Sequence, residues 1–206
     1  MALVDWRVFP EFVYNKSVAL VGGAGVWDQA TANKADLVVR INGRWLEQRG
    51  RIDILYYSGP LMDCVMLVEL ENENLQFAQF PLIHMYDSNF LRFCDRKGIP
   101  YELWGRTQYH AARDERPEYE WTNVLMRQLG TFPLQGIIAL RHLTMLPVKS
   151  VFMTGFDFYM DKETGEIPEL NCECHEVAPH ISFVKEVVRT DSRVICDEVL
   201  RAILAR

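Results

Sequence analysis

The stretch VALVGGAGVWD, Val18 to Asp28, carries the reading of the fold. Four apolar residues, Val18 to Val21, form a run that fits a buried strand, and Gly22, Gly23 and Gly25 close it. Glycines placed directly after a strand let a phosphate or nucleoside approach the backbone, because no Cβ stands in the way. From Gly23 the stretch reads Gly-x-Gly-x-x-Asp, a dinucleotide fingerprint without its third glycine. The next apolar run, Leu37 to Ile41, ends in Arg40 and Asn42, where a dinucleotide site would place an acidic residue for the ribose. An NAD-dependent dehydrogenase is therefore disfavoured, while a plain tight turn stays open as the alternative for these glycines.

Outward from this point the chain alternates. Ile52 to Tyr57, Leu82 to Tyr86, Ser150 to Thr154 and Arg193 to Cys196 read as further strands. Between and after them, Pro60 to Glu69, Asn89 to Arg96, Tyr119 to Leu129, Leu134 to Leu146, Ile181 to Val188 and Asp197 to Arg206 carry apolar residues at helical spacing. Strands alternating with helices predict an α/β protein with a mainly parallel sheet. No repeat, low-complexity tract or glycine-serine linker interrupts the pattern, so one domain spanning 1–206 is expected.

In such sheets ligands sit outside the carboxyl ends of the strands. Those ends are Gly22 to Gly25, Arg40 and Asn42, Tyr57 and Ser58, Asp87 to Asn89, and Gly155, Asp157 and Tyr159. Arg40 and Asn42 are two apart on a strand and point to one face, supplying charge and hydrogen bonding, unless they are a solvated end and a turn. Thr131, Pro133 and Gly136 lead into a helix whose positive N-terminal end would favour a phosphate at the same rim.

Lys and Arg total 22 against 28 Asp and Glu in 206 residues, a net charge of -6 that argues against a nucleic-acid groove. The hydrophobic share of 49% and charged share of 24% fit a globular chain with a sizeable core. Five scattered cysteines, Cys64, Cys94, Cys172, Cys174 and Cys196, suit a reduced, cytoplasmic setting. The opening MALVDWRVFPEF lacks the basic end and apolar core of a secretion signal. No window reaches ~18 uninterrupted apolar residues, so no bilayer span is expected, and peripheral contact at an inner membrane face stays open.

The segment Cys172-Glu-Cys-His-Glu-Val-Ala-Pro-His180 holds two competing readings. Cys172, Cys174, His175 and His180 have the atom types of a zinc site, but their spacing is not a usual one and no second cysteine pair follows. Otherwise His180, after Pro179 and just before the helical ISFVKEVV, acts as a general base at a helix N-terminus, where the macrodipole keeps the ring neutral. A histidine merely capping that helix is the bland alternative.

Three stretches in order resemble the sialyltransferase superfamily, the animal-type family 29 and bacterial family 42 enzymes that use CMP-sialic acid. VALVGGAGVWDQATANKADLVVRINGRW is similar to the long N-terminal sialyl motif. TFPLQGIIALRHLTMLPVKSVFMTGFDFYMD is similar to the short motif, its GFDFY closest to the bacterial family, and HISFVKEVV resembles the final motif with its catalytic histidine. Together they cover about a third of the chain. The resemblance implies a Rossmann-like domain of the GT-A-variant type, with Asn42 on the CMP portion, Gly136 opening the nucleotide-side helix, Tyr159 bonding the departing phosphate and His180 as base. The nucleotide-binding set it implies is Gly22, Gly23, Ala24, Gly25, Arg40, Asn42, Ser58, Gln135, Gly136, Gly155 and Asp157. Three positions depart from the family pattern: Gly23 and Ser58 stand where asparagines are usual, and Gln135 where Ser or Thr is.

The function implied is metal-independent, inverting transfer of sialic acid or a related acidic sugar from a CMP-sugar donor to a glycan hydroxyl, with no cofactor. The chain lacks the Asp-x-Asp pair that metal-dependent sugar transferases use, which agrees. Two alternatives stand beside it: a relative that binds nucleotide or glycan without turnover, and an unrelated Rossmann enzyme such as a methyltransferase. Trp104, Tyr109 and Trp121 could stack on sugar rings, but most aromatics are expected in ordinary packing.

Overall fold

Short apolar runs become central strands when helices cover both faces of a sheet, and that is how this chain is built. A computed structural model describes residues 8–42, 49–57, 64–71, 73–81, 88–104, 124–161, 163–171 and 175–206. β1 (Ser17–Val21), β2 (Leu37–Ile41), β3 (Ile54–Tyr56), β4 (Phe77–Phe80), β5 (Tyr101–Leu103), β6 (Ser150–Thr154) and β9 (Val194–Cys196) form one seven-stranded sheet. Its order is β5-β4-β3-β2-β1-β6-β9, and each neighbouring pair is parallel. The chain thus steps outward from β1 to β5, then returns to the other side of β1. The β1–β6 junction is the switch point where strand ends open into a crevice.

One face carries α1 (Val8–Val13), α5 (124–129), α6 (Gln135–Met145), α7 (Val177–Thr190) and α8 (Glu198–Leu204), with Phe9, Leu140, Val184 and Leu200 packed on Val18, Val39 and Met153. The other face splits. α2 (Gln29–Ala32) covers Ala19, Val21 and Val38, while Phe90, Phe93 and Cys94 of α4 (Ser88–Lys97) and Leu70 of α3 (Cys64–Glu71) pack on Leu55, Ala78 and Phe80. A small antiparallel pair, β7 (Leu170–Asn171) and β8 (His175–Glu176), leads into α7.

The alternation of strands and helices and the single parallel α/β sheet agree with the sequence. Three differences have physical causes. The strand expected at Leu82 to Tyr86 lies outside the described residues, and β4, ahead of it in the chain, was not expected. Nor was β5. Both were hidden because Gln79 and Glu102, paired in register across β4 and β5, are buried polar residues that break an apolar pattern. Gln79 Nε2 donates to Glu102 Oε2 at 2.9 Å, and Trp104 Nε1 donates to Gln79 Oε1 at 2.5 Å, so these buried side chains are linked to one another. Third, α7 begins at Val177, one turn before the expected Ile181. Pro179 lies in its first turn, where a missing N–H removes no helical bond.

Candidate active site

The ends of β1 and β6 are tied to each other by their own backbone. Gly22 N–H donates to the Thr154 carbonyl and Ala24 N–H to the Gly155 carbonyl, both at 2.9 Å. A Cβ on Gly22 would lie 2.3 Å from the Gly155 carbonyl oxygen, so glycine is required there by its neighbour strand rather than by a ligand. Gly155 has φ +71, a left-handed conformation that favours glycine. Alternate amides of the first loop are thereby consumed, and those of Gly23 and Gly25 hold no partner among the described residues.

A buried carboxylate sets this junction. Thr154 Oγ1 accepts Asp28 N–H at 2.8 Å and donates to Asp197 Oδ2 at 2.6 Å. Asp197 also accepts Gly155 N–H at 3.2 Å and caps α8 through Leu200 N–H at 2.7 Å. Sequence reasoning missed this role for Thr154 and Asp197, whose only signals are their positions at a strand end and before a helix.

A cavity of about 580 Å³ opens above the junction, lined by Gly22 to Gly25, Ile41, Asn42, residues 132–137, 155–160 and His175. Its floor includes the first turn of α6. Leu134, the N-cap residue, makes no side-chain cap, and Gly136 N–H in that turn has no intrahelical acceptor. A Cβ on Gly136 would meet Phe156 Cε1 at 2.4 Å, which explains the glycine. The other end of α6 is closed: Arg193 donates to the Thr144 carbonyl at 2.6 Å and the Leu146 carbonyl at 2.9 Å. The helix therefore presents its positive end to the cavity and has its negative end satisfied by a guanidinium.

Tyr159, which also lines the cavity, is 43% exposed. It and Phe158 have φ of 62 and 51, two consecutive left-handed residues without glycine. Phe158 is buried, Met160 N–H closes the turn on the Asp157 carbonyl at 2.9 Å, and Asp157 Oδ1 accepts Tyr159 N–H at 3.0 Å. Asn42, with φ 50 at the end of β2, completes the wall.

The cavity gathers Gly22, Gly23, Ala24, Gly25, Asn42, Gln135, Gly136, Gly155, Asp157 and Tyr159 of the expected site. Ser58 lies outside the described residues, as do Asp87, Tyr109, Trp121, Cys172 and Cys174. Trp104 is buried in the core on α1's side of the sheet, away from this cavity.

Two expected residues sit elsewhere. Arg40 does not line the cavity; its guanidinium is stacked 4.3 Å over Trp27, and burial pulls its pKa down to about 10, against the charge of Glu73. His180 was expected at a helix start facing the rim. The earlier start of α7 makes it the fourth residue of the helix, on the same buried stripe as Val177 and Val184, at 0% exposure. Its Nδ1–H donates to the Glu176 carbonyl at 2.5 Å, and its Nε2 accepts Leu134 N–H at 3.1 Å. Burial holds the ring below the usual histidine range, more strongly than the Glu176 bond raises it, and nearby His175 adds to the lowering. With both nitrogens engaged, His180 offers a metal no lone pair, and no group of three metal-ligating side chains occurs among the described residues.

His175, read from the sequence only as a zinc ligand, is the histidine on the cavity wall. Its Nδ1 lies 2.7 Å from the Phe132 carbonyl. A carbonyl only accepts, so Nδ1 carries the proton and Nε2 holds the lone pair of the neutral ring. The signal that could have singled it out is its position just ahead of an amphipathic helix that begins one turn earlier than expected.

No helix among the described residues is long and apolar enough to cross a membrane. No family model and no curated protein matches the chain. Solved structures do. The sialyltransferase CstII from Campylobacter jejuni, in complex with cytidine-5'-monophosphate, is similar at 14% identity and a TM-score of 0.57, over 93% of this chain and 84% of that one. The α-2,3-sialyltransferase from Campylobacter jejuni in apo form gives 14% identity and a TM-score of 0.54, over 98% and 81%. A CST-II complex with trisaccharide acceptor and CMP gives 14% identity and 0.50, over 87% and 79%. At this distance the likeness speaks for architecture, and the architecture of this chain is the sialyltransferase fold.

Proposed function

We propose that the chain is a glycosyltransferase that takes an acidic sugar, sialic acid or a close relative, from a CMP-sugar donor and delivers it to a glycan hydroxyl with inversion. The observation that carries the reading is the convergence on one cavity of the Gly23 and Gly25 amides, the open first turn of α6, the Tyr159 phenol and the His175 ring. The fold shared with proteins that bind CMP and a trisaccharide acceptor supports the same donor and acceptor classes.

In this reading the donor phosphate lies against backbone donors at the α6 start and the glycine loop, which suits a chain of net charge -6. His175 Nε2 takes the proton of the acceptor hydroxyl as its oxygen attacks the anomeric carbon. The bond from that carbon to the phosphate oxygen breaks, and CMP leaves with the electron pair. The Tyr159 phenol donates a hydrogen bond to the departing phosphate, where negative charge develops. Asp157 and the buried Phe158 hold Tyr159 in its turn, so its position is set before the substrate arrives. The base is His175 and not His180, because a base needs a lone pair within reach of substrate.

The test is titration with CMP followed by turnover with CMP-sialic acid and a lactose-type acceptor. Wild-type protein is expected to bind CMP and release it from the donor. His175→Ala should lower kcat between about a hundredfold and ten-thousandfold while CMP binding persists. Tight CMP binding without turnover on any acceptor would instead indicate a binding protein, and protection by S-adenosylmethionine but not by CMP would indicate a methyltransferase.

A further inference from the structure

Three hydrogen bonds join the loop ahead of α6 to the segment that carries His175. Glu176 N–H donates to Thr131 Oγ1 at 3.0 Å, His175 Nδ1–H to the Phe132 carbonyl at 2.7 Å, and Leu134 N–H to His180 Nε2 at 3.1 Å. The third differs from the others in kind. It comes from the N-cap residue of α6, the helix whose first turn faces the cavity, and it ends on a ring that is at the same time bonded to the N-cap carbonyl of α7. One buried imidazole therefore spans the N-terminal ends of two helices. It can do so only as the Nδ1–H tautomer, donating with one nitrogen and accepting with the other.

We propose that His180 is a positioning residue: by joining Glu176 to Leu134 it fixes the separation between the first turn of α6 and the His175 ring, and thereby the space in which a phosphate and an acceptor hydroxyl meet. The inference rests on the reading above in one respect, that the ligand lies between those two groups. The burial supports it, since a ring at 0% exposure with both nitrogens taken has no capacity left for substrate. An unmade bond at Leu134 would leave a half-buried donor without its partner at the very residue that sets the helix start.

The experiment compares His180→Gln, His180→Phe and Leu134→Pro in the full chain. Glutamine can donate through its amide nitrogen and accept through its oxygen, so it can replace both bonds but cannot serve as a base. Phenylalanine keeps the bulk and loses both bonds. Proline at 134 suits the observed φ of -62 and removes the N–H together with the leucine side chain's packing on the core, so it is read beside His180→Phe and not alone. Leu134 amide exchange is read without ligand, CMP affinity with CMP alone, and kcat and KM by turnover. His180→Gln is expected to keep Leu134 protection and to stay within about threefold of wild type in CMP affinity and kcat. His180→Phe should exchange at Leu134 at least about tenfold faster and lose about tenfold in CMP affinity. Leu134→Pro should show the same affinity loss, and combining the two should add nothing, as coupled partners require.

Loss of turnover in His180→Gln with protection and CMP affinity intact would make His180 the base and overturn the proposal. Unchanged exchange and affinity in His180→Phe would reduce the ring to filler and overturn it equally. Failure of the wild-type protein to bind CMP would overturn the function proposed above, while Leu134 exchange in the variants would still decide the role of His180.

Discussion

Two regions of the sheet bury polar side chains, and they use them in opposite ways. At the β1–β6 junction, Thr154 and Asp197 bond chiefly to backbone amides of Asp28, Gly155 and Leu200. At β3–β5, polar side chains bond to one another: Tyr56 Oη lies 2.8 Å from His142 Nδ1, and Trp104, Gln79 and Glu102 form a chain. Rings seal the second group, with Phe9 stacked on His142 at 5.4 Å and Trp104 edge-on to it at 4.6 Å. The topology produces the difference. Successive strands from β1 to β5 step in one direction, so each connection helps cover the last. At β1–β6 the strands reach their neighbours in opposite directions, and only the loops themselves stand at the strand ends. A buried polar group is therefore no mark of a site by itself. What marks a site is that its partners are loop amides at a strand end, because those loops then present their remaining donors outward.

The sharpest way to break this comparison is Gly22→Ala. Its Cβ would press on the Gly155 carbonyl at 2.3 Å, and the atom that must yield is backbone, not a flexible side chain. Overpacking of this kind should cost about 3 kcal/mol and separate the two loops that line the cavity. Urea denaturation is expected to show the lower midpoint, and CMP titration a loss of affinity beyond what the stability change alone produces. An alanine variant with wild-type midpoint and affinity would mean that the junction is loosely set, and the contrast with β3–β5 would fall.

Legibility in the sequence followed the same division. β1, β2 and β6 could be read because they are apolar on both faces and end in glycine or polar residues. The cavity rim at Gly22 to Gly25, Asn42, Gly136 and Gly155 to Tyr159 came with them, since strand ends are visible once strands are. β4 and β5 were missed because Gln79 and Glu102 bond to each other across strands, a pairing that no local pattern displays. His180 and His175 exchanged places for a reason of four residues. Starting α7 at Val177 rather than Ile181 turns His180 inward and leaves His175 ahead of the helix at the rim. Helix starts depend on capping and on tolerance of proline in the first turn, both weak signals against the apolar period that follows. Arg40 was misplaced because a charged residue at a strand end reads as a ligand contact, while stacking on Trp27 is a tertiary event.

A gentler perturbation, protonation, should act mainly on the sealed region. Burial lowers the His142 pKa to about 3, and an unfolded histidine titrates near 6.5. The unfolded state therefore binds more protons below pH 6.5, and stability falls as pH falls through that value. His180, also lowered, acts with the same sign. Between pH 7.5 and 5.5 the His142 contribution should amount to about 1 kcal/mol. The carboxylates held low, such as Asp36 and Asp161, lose their contributions only in a more acidic range, so the two windows separate. Glutamine at position 142 can still accept from Tyr56, and His142→Gln should show a shallower loss of urea midpoint over this interval. Equal slopes for wild type and variant would place the acid sensitivity elsewhere.

The smallest expected effect lies on the surface of the same half. Arg96 of α4 pairs with Glu71 of α3, and its side chain is 64% exposed. Two long side chains held in water gain little from their attraction, because solvent screens it and ordering them costs rotamer freedom. Arg96 also lies over the Phe93 ring at 5.7 Å, at the outer limit of a useful cation–π contact. Arg96→Ala should therefore change the unfolding free energy read by urea denaturation by less than about 0.5 kcal/mol and leave CMP affinity unchanged. That null effect is informative, since α3 and α4 cover β3–β5 through Leu70, Phe90 and Phe93. If the apolar contacts hold these helices, removing the only ion pair that joins them among the described residues changes nothing measurable. A loss of several times that size would show that the covering helices depend on charge, and that the sealed half is held less by its rings than the contrast with the β1–β6 junction requires.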